Sequence, residues 1–441
     1  MYQDLTRGSI SLGLTRFALP MIAGNLLQQL YNIADTLIVG QALGRNALAS
    51  VGSAFTLMTF LTSIFLGLSM GAGALFSIYL GKKDYAALHS AVFQGFVLIG
   101  IVTAAVTVLV FLFVDETLHF LQIPAELLAS MRVYLLIIYL GLPATFLYNF
   151  FASLLRAVGN SVTPLWFLAV SALTNILLDL LFVLGFHWGV AGAAVATVIA
   201  QYLSGVGLTL YVLFCCRDLL PAREQMHIDK RILSELLDLS IMTCIQQSTM
   251  NFGILMVQRL VDSFGPVTMA GFAAAVKIDA FAYLPVQDFG NAFSTFTAQN
   301  YGSAQRQRLK EGFRTATIIS ALFSLFISCL VFVFARPLMG LFVRKEEADV
   351  IACGVRYLRT EGAFYPGIGL LFLLYGFYRA IKKPGMSVIL TVISLGIRVL
   401  LAYALAGPIG EVGVWAAIPI GWFLADATGF GYYFLKRKKL I

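Results

Sequence analysis

Charge is what this chain has least of. Only 12% of its 441 residues are Asp, Glu, Lys or Arg, while 59% are hydrophobic, against about 25% charged residues in soluble domains. Imidazole is nearly as scarce: His89, His119, His187 and His227 are scattered, which excludes a histidine-built metal centre. The five cysteines are odd in number, lie in or beside apolar segments, lack metal-ligand spacing, and read as small hydrophobes. No phosphate-binding loop is present: the glycine-rich Gly67–Gly73 stretch lacks the required lysine and lies within an apolar run, where small residues serve packing. No nucleophile–base pair is visible. These absences exclude a soluble enzyme and a nucleotide-driven pump, so any uphill work must draw on an ion gradient.

What the chain has instead is hydrocarbon-compatible length. Apolar runs of about 20 residues, enough to cross a bilayer, recur from Phe17–Gln41 to Val414–Leu435 and give twelve expected spans. The fourth is expected over Val133–Leu155, the seventh over Leu239–Leu260 and the tenth over Tyr357–Tyr378. The first fifteen residues are mostly polar, so the first helix is expected to act as its own insertion signal. With the N-terminus inside, twenty of the thirty Lys and Arg fall on the cytoplasmic side and eight, Arg45 and Lys345 among them, on the other. The positive-inside rule then places both termini in the cytoplasm. The net charge of +8 is a topology signal and not a nucleic-acid surface.

The widest polar gap runs between the sixth and seventh spans, where "IDKRILSELL" reads as a short interfacial helix. It divides the chain into residues 1–215 (helices one to six), a cytoplasmic linker 216–236, and 237–441 (helices seven to twelve). The halves echo each other: Pro143, Arg156 and Ala157 meet Pro366, Arg379 and Ala380 at an offset of 223, and Gly81 meets Gly302 at 221. Six crossings per half make the repeat parallel, an architecture of transporters that rock two bundles around a central site.

Few polar groups remain inside the spans. Asp35 lies near the outer end of the first helix, Asn175 and Asp179 share a face of the fifth at i,i+4, and Thr197 lies eight residues into the sixth. At ~1.5 Å per residue these groups all fall roughly 8–15 Å below the outer surface. Two carboxylates, an amide and a hydroxyl at one depth suit a proton or a hard cation such as Na⁺. Pro20, fifteen residues before Asp35, reads either as a hinge or as a harmless proline near a helix start. The second half carries Lys277, Asp279, Glu361, Arg398 and Asp426. Two readings stand for these: a base neutralises an acid and holds the bundle, or the acids line a cavity for a cationic substrate.

Taken together, "ALPMIAGNLLQQLYNIADTLIVGQALG" (Ala18–Gly44), "LLRAVGNSVTP" (Leu154–Pro164), "NILLD" (Asn175–Asp179), "GVAGAAVAT" (Gly189–Thr197) and "FTAQNYG" (Phe296–Gly302) resemble the multidrug and toxic compound extrusion (MATE) family. The resemblance implies an all-α integral membrane fold of twelve helices in two parallel six-helix repeats forming V-shaped N- and C-lobes. It also implies export of organic cations against proton or sodium entry. In the branch of the family with an N-lobe cation site, its residues stand where Asp35, Asn175, Asp179 and Thr197 stand here, and the hinge proline corresponds to Pro20. The branch coupled through the C-lobe has an acid in the seventh helix, and "SIMTCIQQSTMNFGILMVQRL" has none, which favours N-lobe coupling.

The expectation is therefore a secondary active antiporter and not an enzyme, needing no cofactor beyond H⁺ or Na⁺. Its partners are expected to be small hydrophobic cations and the lipid bilayer, with the chain a multi-pass monomer in the cell membrane. Aromatics at 13% of the chain fit a broad pocket for such cations. The rivals are a lipid-linked precursor flippase of the same superfamily, which would have more helices and a strongly basic cavity, and a membrane-embedded lipid-modifying enzyme, which would need clustered acids at one interface.

Overall fold

Hydrocarbon offers no partner to a free backbone N–H or C=O, so a chain this apolar must satisfy its backbone within helices. A computed structural model, which describes residues 3–120, 125–344 and 346–440, is helical almost throughout, with no strand among those residues. In order the helices are α1 (Ile10–Gly44), α2 (Ser50–Lys82), α3 (Tyr85–Leu112), α4 (Val114–Phe120), α5 (Ala125–Tyr139), α6 (Leu142–Ala157), α7 (Val162–Asp179) and α8 (Gly189–Cys215). The second half continues with α9 (Lys230–Asp262), α10 (Pro266–Gly302), α11 (Arg306–Met339), α12 (Ala348–Gly362), α13 (Tyr365–Ala380), α14 (Pro384–Ile409) and α15 (Glu411–Leu440). Among the described residues, nine helices are long and apolar enough to cross a membrane, or ten if the bent α5–α6 pair is one span. Lys345 lies outside the described residues, as do the side chains of Arg45, Lys438 and Lys439.

The duplication is written in the backbone. Left-handed residues, where a helix must stop, recur as Gly44 and Gly265, Lys83 and Ala304, and Gly189 and Gly410, each pair 221 residues apart, and as Gly159 and Lys382 at 223. Glycine adopts this conformation without steric cost; Lys83, Ala304 and Lys382 adopt it without that help. Pro143 and Pro366, also 223 apart, both sit in the first turn of their helices. Proline is tolerated there because that N–H has no acceptor in the helix anyway.

Those two prolines account for two departures from the sequence reading. Val133–Leu155 is not one straight span: α5 and α6 meet at a bend of 42°. Tyr357–Tyr378 is likewise broken, with α12 ending at Gly362 and α13 restarting at Tyr365 just before Pro366. A third departure concerns "IDKRILSELL". Asp229 accepts the backbone N–H of Arg231 at 2.8 Å and so starts α9, which runs unbroken from Lys230 to Asp262 instead of forming a separate interfacial helix.

The chain divides into two compact units. The first holds Ala23–Leu80 and Asp84–Cys244, the second Asp4–Ile22, Gly81–Lys83 and Ile245 onward, so α1 passes from one to the other just after Pro20. Within the second unit the N-terminal segment is tied down. Gln299 Oε1 accepts from Leu5 N at 3.1 Å, and the Arg308 guanidinium donates to the carbonyls of Leu5, Arg7 and Gly8 at 2.8–3.4 Å. Within the first unit α2 presses against the start of α9. A Cβ added at Gly71 would stand 2.5 Å from Leu239 O, and one at Gly67 2.6 Å from Cys244 Cα. We expect Gly71→Leu to lower the melting temperature of detergent-purified protein, overpacking costing about 1–3 kcal/mol. Gly396→Ala, which meets nothing within 4 Å, should leave it unchanged; equal melting for both variants would refute the close approach.

Candidate functional site

The first unit brings Asp35, Asn175, Asp179 and Thr197 into one place. Asn175 and Asp179, one turn apart on α7, are both buried, Asp179 completely. Asp35 on α1 is half-buried and faces Asp179 closely enough for the two carboxyl groups to share a hydrogen bond. Such a bond needs one proton between them. Without it, Asp35 Oδ1 and both Asp179 oxygens have no donor among the described residues, and Asn175 Oδ1 is also unpartnered. The Asn175 amide donates to Thr197 Oγ1 at 3.4 Å, and that hydroxyl donates to Ala193 O at 3.0 Å. Oxygen lone pairs thus converge with few protons to meet them, an arrangement that a proton or a hard cation completes. The residues fit such an ion by their donor set and by their orphaned oxygens.

Three features of this site were not apparent from sequence. Tyr31 and Tyr134 stand within electrostatic reach of both carboxylates. Tyr31, Asn175, Thr197 and Gln201 line a small cavity of about 20 Å³, and Gln201 Oε1 is buried without a donor among the described residues. Finally, α7 does not simply end at Asp179. It widens into a π-helix over Leu180–Gly185, closed by Phe186 N donating to Leu181 O at 2.8 Å. Single π-turns concentrate at functional sites because they re-aim the neighbouring side chains; here the neighbour is Asp179.

In the second unit three of the five ions singled out from the sequence cluster and two stand alone. Asp279 (α10), Glu361 (α12) and Arg398 (α14) come together, all buried. Lys277 does not join them: two residues from Asp279, it lies on the exposed face of α10. Asp426 stands apart as well, with both oxygens unpartnered and Oδ2 3.9 Å from where a Cβ on Gly367 would be. Pro20 lies within an otherwise continuous α1 and removes one bond from its ladder. No group of three His, Cys, Asp or Glu able to hold a metal is found among the described residues.

The MatE family profile matches residues 20–181 and 239–404. The probable multidrug resistance protein YpnP of Bacillus subtilis strain 168 is 28% identical over 99% of this chain and 97% of its own length. The probable multidrug resistance protein NorM of Thermotoga maritima is 24% identical over 87% of this chain and 82% of its own. Among solved structures, a MOP superfamily transporter from Pyrococcus furiosus, described as having a binding pocket of reverse polarity, superposes with a TM-score of 0.93 at 24% identity, covering 99% of this chain and 98% of that one. An outward-facing multidrug resistance MATE family transporter superposes at 0.92 and 22% over the same shares. The structural likenesses establish the fold.

The facing carboxyl groups carry a testable consequence for stability. Ionising both creates repulsion in a site with no donor, a cost Asp179→Asn removes. At pH 9 the variant should therefore melt above the wild type, by about 1–3 kcal/mol, and the difference should shrink as the pH falls. A variant that melts below the wild type throughout would show that the carboxylates do not oppose each other.

Proposed function

Because the chain belongs to the MatE family of transporters, we propose that it is a secondary active antiporter exporting hydrophobic organic cations in exchange for H⁺ or Na⁺ bound between Asp35 and Asp179. One observation carries the reading: two carboxyl groups face each other inside the first unit, with no donor among the described residues for three of their four oxygens. An ion that enters from outside supplies the missing positive charge, with Asn175 and Thr197 completing an oxygen shell. Its release to the inside restores the repulsion. Because α1 belongs to the second unit up to Ile22 and to the first from Ala23, the charge state of Asp35 acts on a helix common to both. The relatives' description as multidrug resistance proteins and the abundance of aromatic residues support broad cationic substrates.

The same reading has twelve crossings, with α9 and the broken α12–α13 pair added to the ten apolar spans that result when the bent α5–α6 pair is counted as one, a division near residues 216–236, and both termini in the cytoplasm. Single cysteines placed at the two ends of an otherwise cysteine-free chain should resist membrane-impermeant maleimide in intact cells and react after permeabilisation. Labelling of either end in intact cells would overturn the orientation.

Asp35→Asn keeps the side chain's shape and removes a charge, so gradient-driven ethidium efflux from liposomes should fall by at least tenfold while equilibrium ethidium affinity changes little. Asp179→Asn should behave the same way, and Asp35→Glu should keep part of the rate because the charge remains. Imposing Na⁺ and pH gradients separately identifies the ion. Wild-type efflux by both Asn variants would remove this pair from the mechanism.

A further inference from the structure

We propose that His89 is a proton-binding site for the segment joining α8 to α9, and that its imidazolium latches that segment onto the start of α3. The proposal goes beyond the antiporter reading and does not depend on which ion drives transport.

The joining segment is seated by apolar contact at one end only. Cys216 and Leu219 are buried in the same core as Leu88, Ala91 and Val92 of α3, and Leu220 packs against it. From Pro221 to Asp229 no residue enters that core, and Glu224, Met226, His227 and Ile228 are exposed. This outer portion is tied down by His89, which is half-buried in the second turn of α3. Its Nε2 lies 2.8 Å from Asp218 O and its Nδ1 2.9 Å from Gln225 Oε1.

Counting hydrogens fixes the charge of the docked ring. A backbone carbonyl can only accept, so Asp218 O needs an N–H at Nε2. Gln225 Oε1 is held as an acceptor by Ala222 N, which donates to it at 3.0 Å; turning the amide would set its NH2 against that N–H. Its second lone pair faces Nδ1. A neutral imidazole has one N–H, which leaves one of the two contacts as lone pair against lone pair at hydrogen-bond distance. The imidazolium donates at both.

No carboxylate dictates that charge: none lies within 4.0 Å of the ring among the described residues. Asp84 at the start of α3 accepts from Ala87 N at 3.0 Å, and Arg217, Asp218, Arg223 and Glu224 of the joining segment are exposed. Arg156 is the charged residue of α6, which also packs on α3, and Glu235 of α9 is engaged by Tyr79 and Arg231. Histidine is the side chain whose charge ordinarily changes between about pH 5 and 8. Loss of the proton turns the Gln225 contact repulsive and releases residues 221–229, while Leu219 stays seated. In the orientation proposed above this site samples the cytoplasm, the compartment into which a proton-coupled exporter releases its protons.

The test uses the full chain with Cys215, Cys244 and Cys329 replaced by alanine, which leaves the two buried cysteines, and a nitroxide attached through Met226→Cys, an exposed position beside Gln225. Its spectrum should show mostly immobilised label at about pH 5.5 and mostly mobile label at about pH 8.5, on either side of the histidine range. His89→Ala should leave the label mobile at both. Gln225→Met removes the second acceptor, so a neutral ring serves Asp218 O alone and the mobility should no longer change with pH. Gln225→Glu, which sets a carboxylate against the imidazolium, should keep the label immobilised at the higher pH, and His227→Gln should behave as the parent. Equal mobility of the parent label at both pH values would overturn the proposal. So would a pH response that survives His89→Ala or Gln225→Met, or one lost in His227→Gln. Should His89→Ala fail to fold, the two Gln225 variants decide alone.

Discussion

A carboxyl group taken out of water must be given a proton, a cation or a set of donors, and the chain supplies donors to almost none of its buried acids. Both oxygens of Asp179 and of Asp426, and one each of Asp35, Asp279 and Glu361, are without a hydrogen-bond donor among the described residues. In a bilayer protein such groups are costly enough that function is their default explanation. The helices around them settle the backbone's needs internally and leave side-chain charge as the one quantity that an entering ion can change.

The two halves repeat their backbone but not their charges. Counting across the same offsets, Asp35 corresponds to Met256 and Asp279 to Met58 at 221, and Glu361 to Ile138 at 223, while Arg398 falls on Asn175 at 223 or Leu177 at 221. These three acids thus stand where the other half carries an apolar side chain. One frame, used twice, has acquired two different sets of buried acids, one with a resident guanidinium and one without.

How much of this was legible in the sequence follows from what costs energy. Asp35 and Asp179 were conspicuous because an acid in an apolar run is expensive, and the i,i+4 spacing placed Asn175 with Asp179 on one face. Glycine at 44, 159, 189, 265 and 410 stands at five of the left-handed stops. Lys83, Ala304 and Lys382 gave no such signal, because tertiary packing imposes their conformation against their own preference. The breaks after Tyr139 and Gly362 were hidden by continuous hydropathy, which does not register an interrupted ladder. Tyr31, Tyr134 and Gln201 looked like ordinary membrane residues, and only the fold brings them to the carboxylates or the cavity beside them. Lys277 and Asp279, two apart, were open to separate partners; the partner near Asp279 is Arg398, more than a hundred residues away.

The π-helix after Asp179 has a counterpart in chain length. Between the left-handed residues Gly159 and Gly189 the first half spends 30 residues, and between Lys382 and Gly410 the second half spends 28. The wide turns at Leu180–Gly185 absorb part of that surplus without lengthening the helix in proportion. At ~100° of rotation per residue in a regular α-helix, shortening this segment to the second half's length would swing Asp179 roughly halfway around the axis relative to the outer end of its own helix. The halves are therefore copies in outline that cannot be exchanged: α14 has no acid to put in place of Asp179, and an α7 merely cut to its length would turn its carboxylate away from Asp35.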